Sequence, residues 1–110
     1  MAIMQECGRG VIVTGSANTI TLDKSYASDL YAVEFRLIAG TPAAGTTAVT
    51  AIPKDGTSET VKDSTGAAIN INPTALEGFY IAGRPLESIT LTPSSWTAGV
   101  QIGVVVRARA

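Results

Sequence analysis

The sequence predicts an all-β chain: a single antiparallel β-sandwich or jelly roll of about eight short strands, with a small barrel as its rival. Three observations predict it. Val and Ile dominate the aliphatic residues and Thr and Ser are abundant, the composition that suits pleated, half-buried surfaces. Gly and Pro come in clusters at short, fairly regular spacing, as tight turns between many strands require. Between those clusters, apolar and polar residues alternate with period two, the pattern of a strand with one face on a core.

Taken in order, "GVIVTGSANTITL" reads as a hairpin, with arms Val11–Thr14 and Thr19–Leu22 and a turn through Gly15, Ser16, Ala17 and Asn18. "DLYAVEFRLIAG" sets Tyr31, Val33, Phe35 and Leu37 against Ala32, Glu34 and Arg36, and this long alternating stretch predicts a central strand. A helix capped by Ser28 or Asp29 fits the same segment less well. "AVTAI" is a strand stopped by Pro53, Asp55-Gly56 is a turn, and residues 57–62 return as the next strand. "DSTG" turns the chain into a short strand over Ala67–Ile71, Asn72-Pro73 ends it, and "TALEG" is expected to make a single helical turn before the "FYIAG" strand. After Gly83-Arg84-Pro85, "LESITLT" is another strand. In the final one, Val100, Ile102, Val104 and Val106 share the core face, while Gln101, Gly103, Val105 and Arg107 share the other.

At 110 residues the chain is expected to form one domain that buries about 65% of its unfolded surface. Residues 1–10 read as an N-terminal arm and 11–110 as the sandwich domain. No apolar run nears the roughly 20 residues needed to cross a bilayer, and no signal peptide is legible, so a soluble protein made in the host cytoplasm is expected. Eight basic and nine acidic residues leave a net charge of −1, which gives no long-range field to gather nucleic acid or an anionic membrane. Neither is expected as a partner.

The chain contains no histidine, which excludes Ser/His/Asp and Cys/His catalysis and imidazole metal sites; its single cysteine, Cys7, excludes a zinc cluster and an internal disulfide. Cys7 reads as a small buried hydrophobe. Asp55 and Asp63 sit beside turn glycines, where a carboxylate bonds the backbone, and Glu59, Glu77 and Glu87 are spaced as solubilising charges rather than as a catalytic pair. "DGTSE" lacks the alternating ligands of a calcium loop. No enzyme, catalytic residue, metal site or cofactor is expected. Trp96 folds over the end of the core or, if exposed, anchors a partner.

The two ends hold the remaining candidates. "MAIMQECGRG" is apolar, Met-containing and irregular, an arm that packs against its own sandwich or lies across a neighbour; Ile3, Met4 and Arg9 are its candidate contacts. A final strand at an edge needs protection or a partner, and Val105, Arg107 and Arg109 on its outer face supply either. In length, in the leading "MAIMQECGRGVIVTG" and in the ending "GRPLESITLTPSSWTAGVQIGVVVRARA", the chain resembles the small β-sandwich or jelly-roll cement (decoration, staple) proteins of tailed bacteriophage heads. That resemblance implies a homo-oligomer, a dimer or trimer, which binds the major capsid protein from outside and strengthens the shell on the virion surface, without a cofactor. A tail or neck subunit and a carbohydrate-binding module resting on Trp96 or Tyr80 are the alternatives.

Overall fold

The computed structural model describes residues 4–13, 17–22, 30–43, 45–54, 56–63, 65–82 and 85–109, with Met4 described by its backbone. The strands are β1 (Met4–Val13), β2 (Asn18–Thr21), β3 (Leu30–Ala39), β4 (Thr46–Pro53), β5 (Glu59–Thr60), β6 (Phe79–Ala82), β7 (Leu86–Ser94) and β8 (Gln101–Arg109). They form two four-stranded antiparallel sheets, ordered β1-β8-β3-β6 and β2-β7-β4-β5. Among the described residues there is no helix. The expected all-β sandwich of about eight strands is what the chain forms.

The order follows one rule. β1 pairs with β8, β2 with β7, β3 with β6 and β4 with β5, as if one long hairpin had been rolled up. The β3–β8 and β4–β7 pairings then join the turns of the roll within each sheet. This is the jelly-roll arrangement.

Alternation explains the core. Val100, Ile102, Val104 and Val106 are all buried, as their spacing predicts, and so are Tyr31 and Val33 on the neighbouring β3 and Val49, Ala51, Ile89 and Leu91 from the opposite sheet. The Tyr31 hydroxyl accepts the Leu86 N–H at 2.9 Å, which fastens one sheet to the other inside the core. β3 lies between β8 and β6, so its expected central position holds.

Three local expectations are overturned. The Val11–Leu22 segment is not a hairpin, because β1 and β2 belong to opposite sheets and the chain passes from one sheet to the other between them. Gly8 and Gly10 make that crossing fit: a Cβ on Gly8 would lie 2.9 Å from Ile20 and Leu22, so the absent side chains leave room for the overlying strand. Residues 67–71 contribute only the bridges Lys62↔Ala68 and Ala48↔Asn70, not a strand. Instead of a helical turn at "TALEG", Asn72 closes a turn in which its side-chain oxygen accepts the Thr74 N–H at 2.9 Å.

Candidate functional site

The face to consider is the outer surface of the β1-β8-β3 sheet. Side chains that point away from the core on these three strands align in rows. Glu6, Arg107 and Ala32 form one row, Arg9, Val105 and Glu34 the next, and Val11, Gly103 and Arg36 the third. Among the described residues, the basic side chains Arg9, Arg36, Arg107 and Arg109 lie here, against the acids Glu6 and Glu34.

Charges on this face are interleaved. Arg9 donates to both Glu6 carboxylate oxygens through one edge of its guanidinium, with Nε 3.0 Å from Oε2, and Arg107 bridges the strands to Glu34. The hydrogen bond from Arg9 is the main cause that holds the Glu6 carboxyl below its usual range, and Arg107 adds a smaller pull. Both pairs are exposed and contribute little to stability. Their effect is to hold the guanidinium groups in place as a strip of fixed cations. The Arg36 side chain makes no ion pair or hydrogen bond among the described residues.

The candidates from the sequence fall as follows. Arg9 is exposed on β1 opposite Val105, and Arg107 and Arg109 follow Val105 along the outer face of β8, with Arg109 opposite Met4. The structure therefore brings Met4, Arg9, Val105, Arg107 and Arg109 onto adjacent strands. Ile3 lies outside the described residues. From Met4 onward, the residues set apart as an arm run as the first part of β1. Nor is β8 an edge strand, since β1 covers one side of it and β3 the other. Its run of valines suits that interior position.

Trp96 is buried, as its reading as a ring folded over the end of the core expects, and the alternative of an exposed anchor is corrected. It is 7% exposed, its indole N–H donates to the Thr46 carbonyl at 3.0 Å, and Gly45 gives it room, since a Cβ there would meet the ring at 2.4 Å. Tyr80, 69% exposed on β6, is the ring that faces solvent. Cys7 is buried at a bulge in β1, in keeping with its reading as a small hydrophobe. Asp63 does the turn chemistry expected of it. Its Oδ1 accepts from the Thr65 hydroxyl at 2.6 Å, from the Thr65 N–H at 2.9 Å and from the Ala67 N–H at 3.1 Å. These bonds, the Thr65 hydroxyl first, hold its carboxyl below the usual range.

Glu6, Glu34, Arg36, Val11 and Ile38 complete the face and were not singled out from the sequence. The outward position of Glu34 and Arg36 was legible in the alternation of β3. The meeting of Glu34 with Arg107 was not, because it depends on the β3–β8 pairing. Among the described residues no group of three or more His, Cys, Asp or Glu side chains is placed to hold a metal ion, and no helix is long and apolar enough to cross a membrane. The chain matches no protein-family model, no curated protein and no solved structure.

Proposed function

We propose that this chain is a non-enzymatic structural protein that binds the outside of a tailed-phage capsid and stabilises it, with the major capsid protein as its partner. The observation that supports this reading is the arginine strip along β1 and β8. Arg9, Arg107 and Arg109 stand on two paired strands of a packed sheet beside the apolar Val105. Planar guanidinium groups in fixed positions suit bidentate contacts to carboxylates on a neighbouring protein. The jelly roll itself does not choose among the readings, because capsid and lectin domains both use it. Each bound copy adds a modest interface, and repetition over a symmetric shell sums those contributions.

Because residues 4–9 and 107–109 are strand residues, the test is by substitution rather than truncation. Quantitative mass spectrometry of purified virions from the source lysate would compare the copy number of this chain with that of the main shell protein. The expected result is a ratio near that of the shell subunit, falling towards zero for an Arg9→Glu, Arg109→Glu double variant whose thermal stability stays within about 0.5 kcal/mol of the parent. Few copies per particle would support a neck or tail subunit instead. Complete absence from virions would sink the structural reading and leave a carbohydrate-binding module, for which the exposed ring of Tyr80 is the remaining platform.

A further inference from the structure

Two surfaces on this chain have opposite charge and matching apolar character. On the outer face of the β1-β8-β3 sheet, Val11 and Ile38 flank Gly103 and are 42% and 53% exposed. Ile38 is the extra residue of a bulge in β3, between Leu37 and Ala39, which turns it out over Gly103. Beside them stands Arg36, exposed and without an internal partner among the described residues.

The second surface is a groove between the 63–72 segment and the start of β6. Ile69, Ile71 and Phe79 line it, with Asp63 and Glu77 exposed at its rim. Glu77 makes no ion pair or hydrogen bond among the described residues. The Asp63 carboxyl is kept ionised by its turn bonds, while its second oxygen is not used by them.

We infer that this chain associates with a second copy of itself head to tail, with Val11 and Ile38 of one copy seated in the 63–79 groove of the next and Arg36 against Glu77 or Asp63. Charge complementarity selects the occupant. A two-fold contact of the Val11–Ile38 surface with itself would set Arg36 beside Arg36, which like-charge repulsion disfavours. The groove presents carboxylates beside aliphatic and aromatic side chains, so it satisfies both halves of the ridge. A heterologous contact of this kind either closes into a ring or runs on as a filament. Each contact joins one ridge to one groove and is expected to be weak, with Kd on the order of 100 μM. This contact does not rest on the shell reading: its ridge borders Arg9 and Val105 of the arginine strip but is centred on Val11, Gly103 and Ile38, away from Arg107 and Arg109.

Sedimentation of the full chain tests it. At about 0.5 mM protein the wild type is expected to associate in about 0.05 M salt and to shift towards monomer in about 1 M salt, where charges are screened within about 3 Å. Ile38→Asp removes the ridge and Glu77→Arg spoils the groove, and each alone is expected to be monomeric. Both positions are at the surface, circular dichroism checks that each variant is folded, and Arg36→Glu must behave as Ile38→Asp does. Mixing Ile38→Asp with Glu77→Arg leaves one intact ridge and one intact groove, so the mixture is expected to form a dimer with one copy of each variant and to grow no further. A wild type that remains monomeric at about 0.5 mM, or a mixture that remains monomeric, overturns the inference. Either result leaves the shell contact to be decided by virion copy number, so the two proposals fail separately.

Discussion

Replacing Thr47 with Val is expected to stabilise the protein. Thr47 is fully buried on the inner face of β4, opposite Pro93 of β7, and its hydroxyl has no hydrogen-bond partner. Its backbone is well used, because its carbonyl accepts the Ile71 N–H at 2.9 Å, so the cost is confined to the side chain. Withdrawing an unpartnered hydroxyl from water costs about 1–3 kcal/mol. Valine keeps the β-branched shape a strand favours and replaces the oxygen with a methyl group, which is slightly larger and recovers only part of that cost. A gain of about 1 kcal/mol remains, and for a domain of this size it raises Tm by about 4 °C. Thr47→Ser is the control. It keeps the orphan hydroxyl and loses a buried methyl, so it is expected to cost about 1 kcal/mol. Urea unfolding followed by circular dichroism measures both. A Thr47→Val protein less stable than the parent by about 1 kcal/mol would refute the reasoning, since it would mean that the hydroxyl has a partner worth keeping.

Other perturbations follow from the same contacts. Tyr31→Phe removes the oxygen that accepts the buried Leu86 N–H, and calorimetry is expected to show a loss of about 2 kcal/mol; an unchanged Tm would mean that this N–H finds water. Gly45→Ala places a methyl 2.4 Å from the Trp96 ring at a φ of +120°, so it is expected to destabilise by about 2 kcal/mol or more and to alter the Trp96 fluorescence. By NMR, Asp63 is expected to titrate below the ordinary aspartate midpoint of about 3.9. A depressed carboxyl pKa contributes stability above the unfolded value, and that contribution is lost as pH falls through the folded one. The acid limb of the stability curve is therefore expected to flatten in a Thr65→Ala, Asp63→Asn variant, and a parent midpoint at or above the ordinary value would refute the turn bonds as its cause.

The sequence made the buried face of β8 and the turn role of Asp63 legible, because both follow from spacing along a few residues. What it misread depended on partners far away in the chain. A Gly-Ser pair between two short apolar runs is compatible with strands of one sheet or of two. The glycines at 8 and 10 were the available sign of two, since bare positions on an inner face make room for an opposing layer. The first ten residues looked irregular because the bulge at Cys7 breaks the period-two pattern and turns neighbouring residues inward. Position at the end of the chain leaves an edge open for β8, while its valine content suits the strand covered on both sides that it is. The candidate face suffered in the same way. Its individual arginines were visible, but the Glu34–Arg107 bridge and the Val11–Ile38 ridge exist only once β3 and β1 flank β8.

The rolled-up order of pairing also sets a sequence of events. β4 and β5 are joined by the shortest span of chain, so their contact closes the smallest loop, and each later pair, β3 with β6, β2 with β7 and β1 with β8, must close a longer one. Topologies dominated by such distant pairings fold in about milliseconds to seconds. The β1–β8 ladder that carries Arg9, Arg107 and Arg109 is the last turn of the roll. A chain that has not finished folding therefore cannot present the strip. Any partner that requires it receives only molecules whose interior is already complete, so assembly itself would act as a quality check on every copy it recruits.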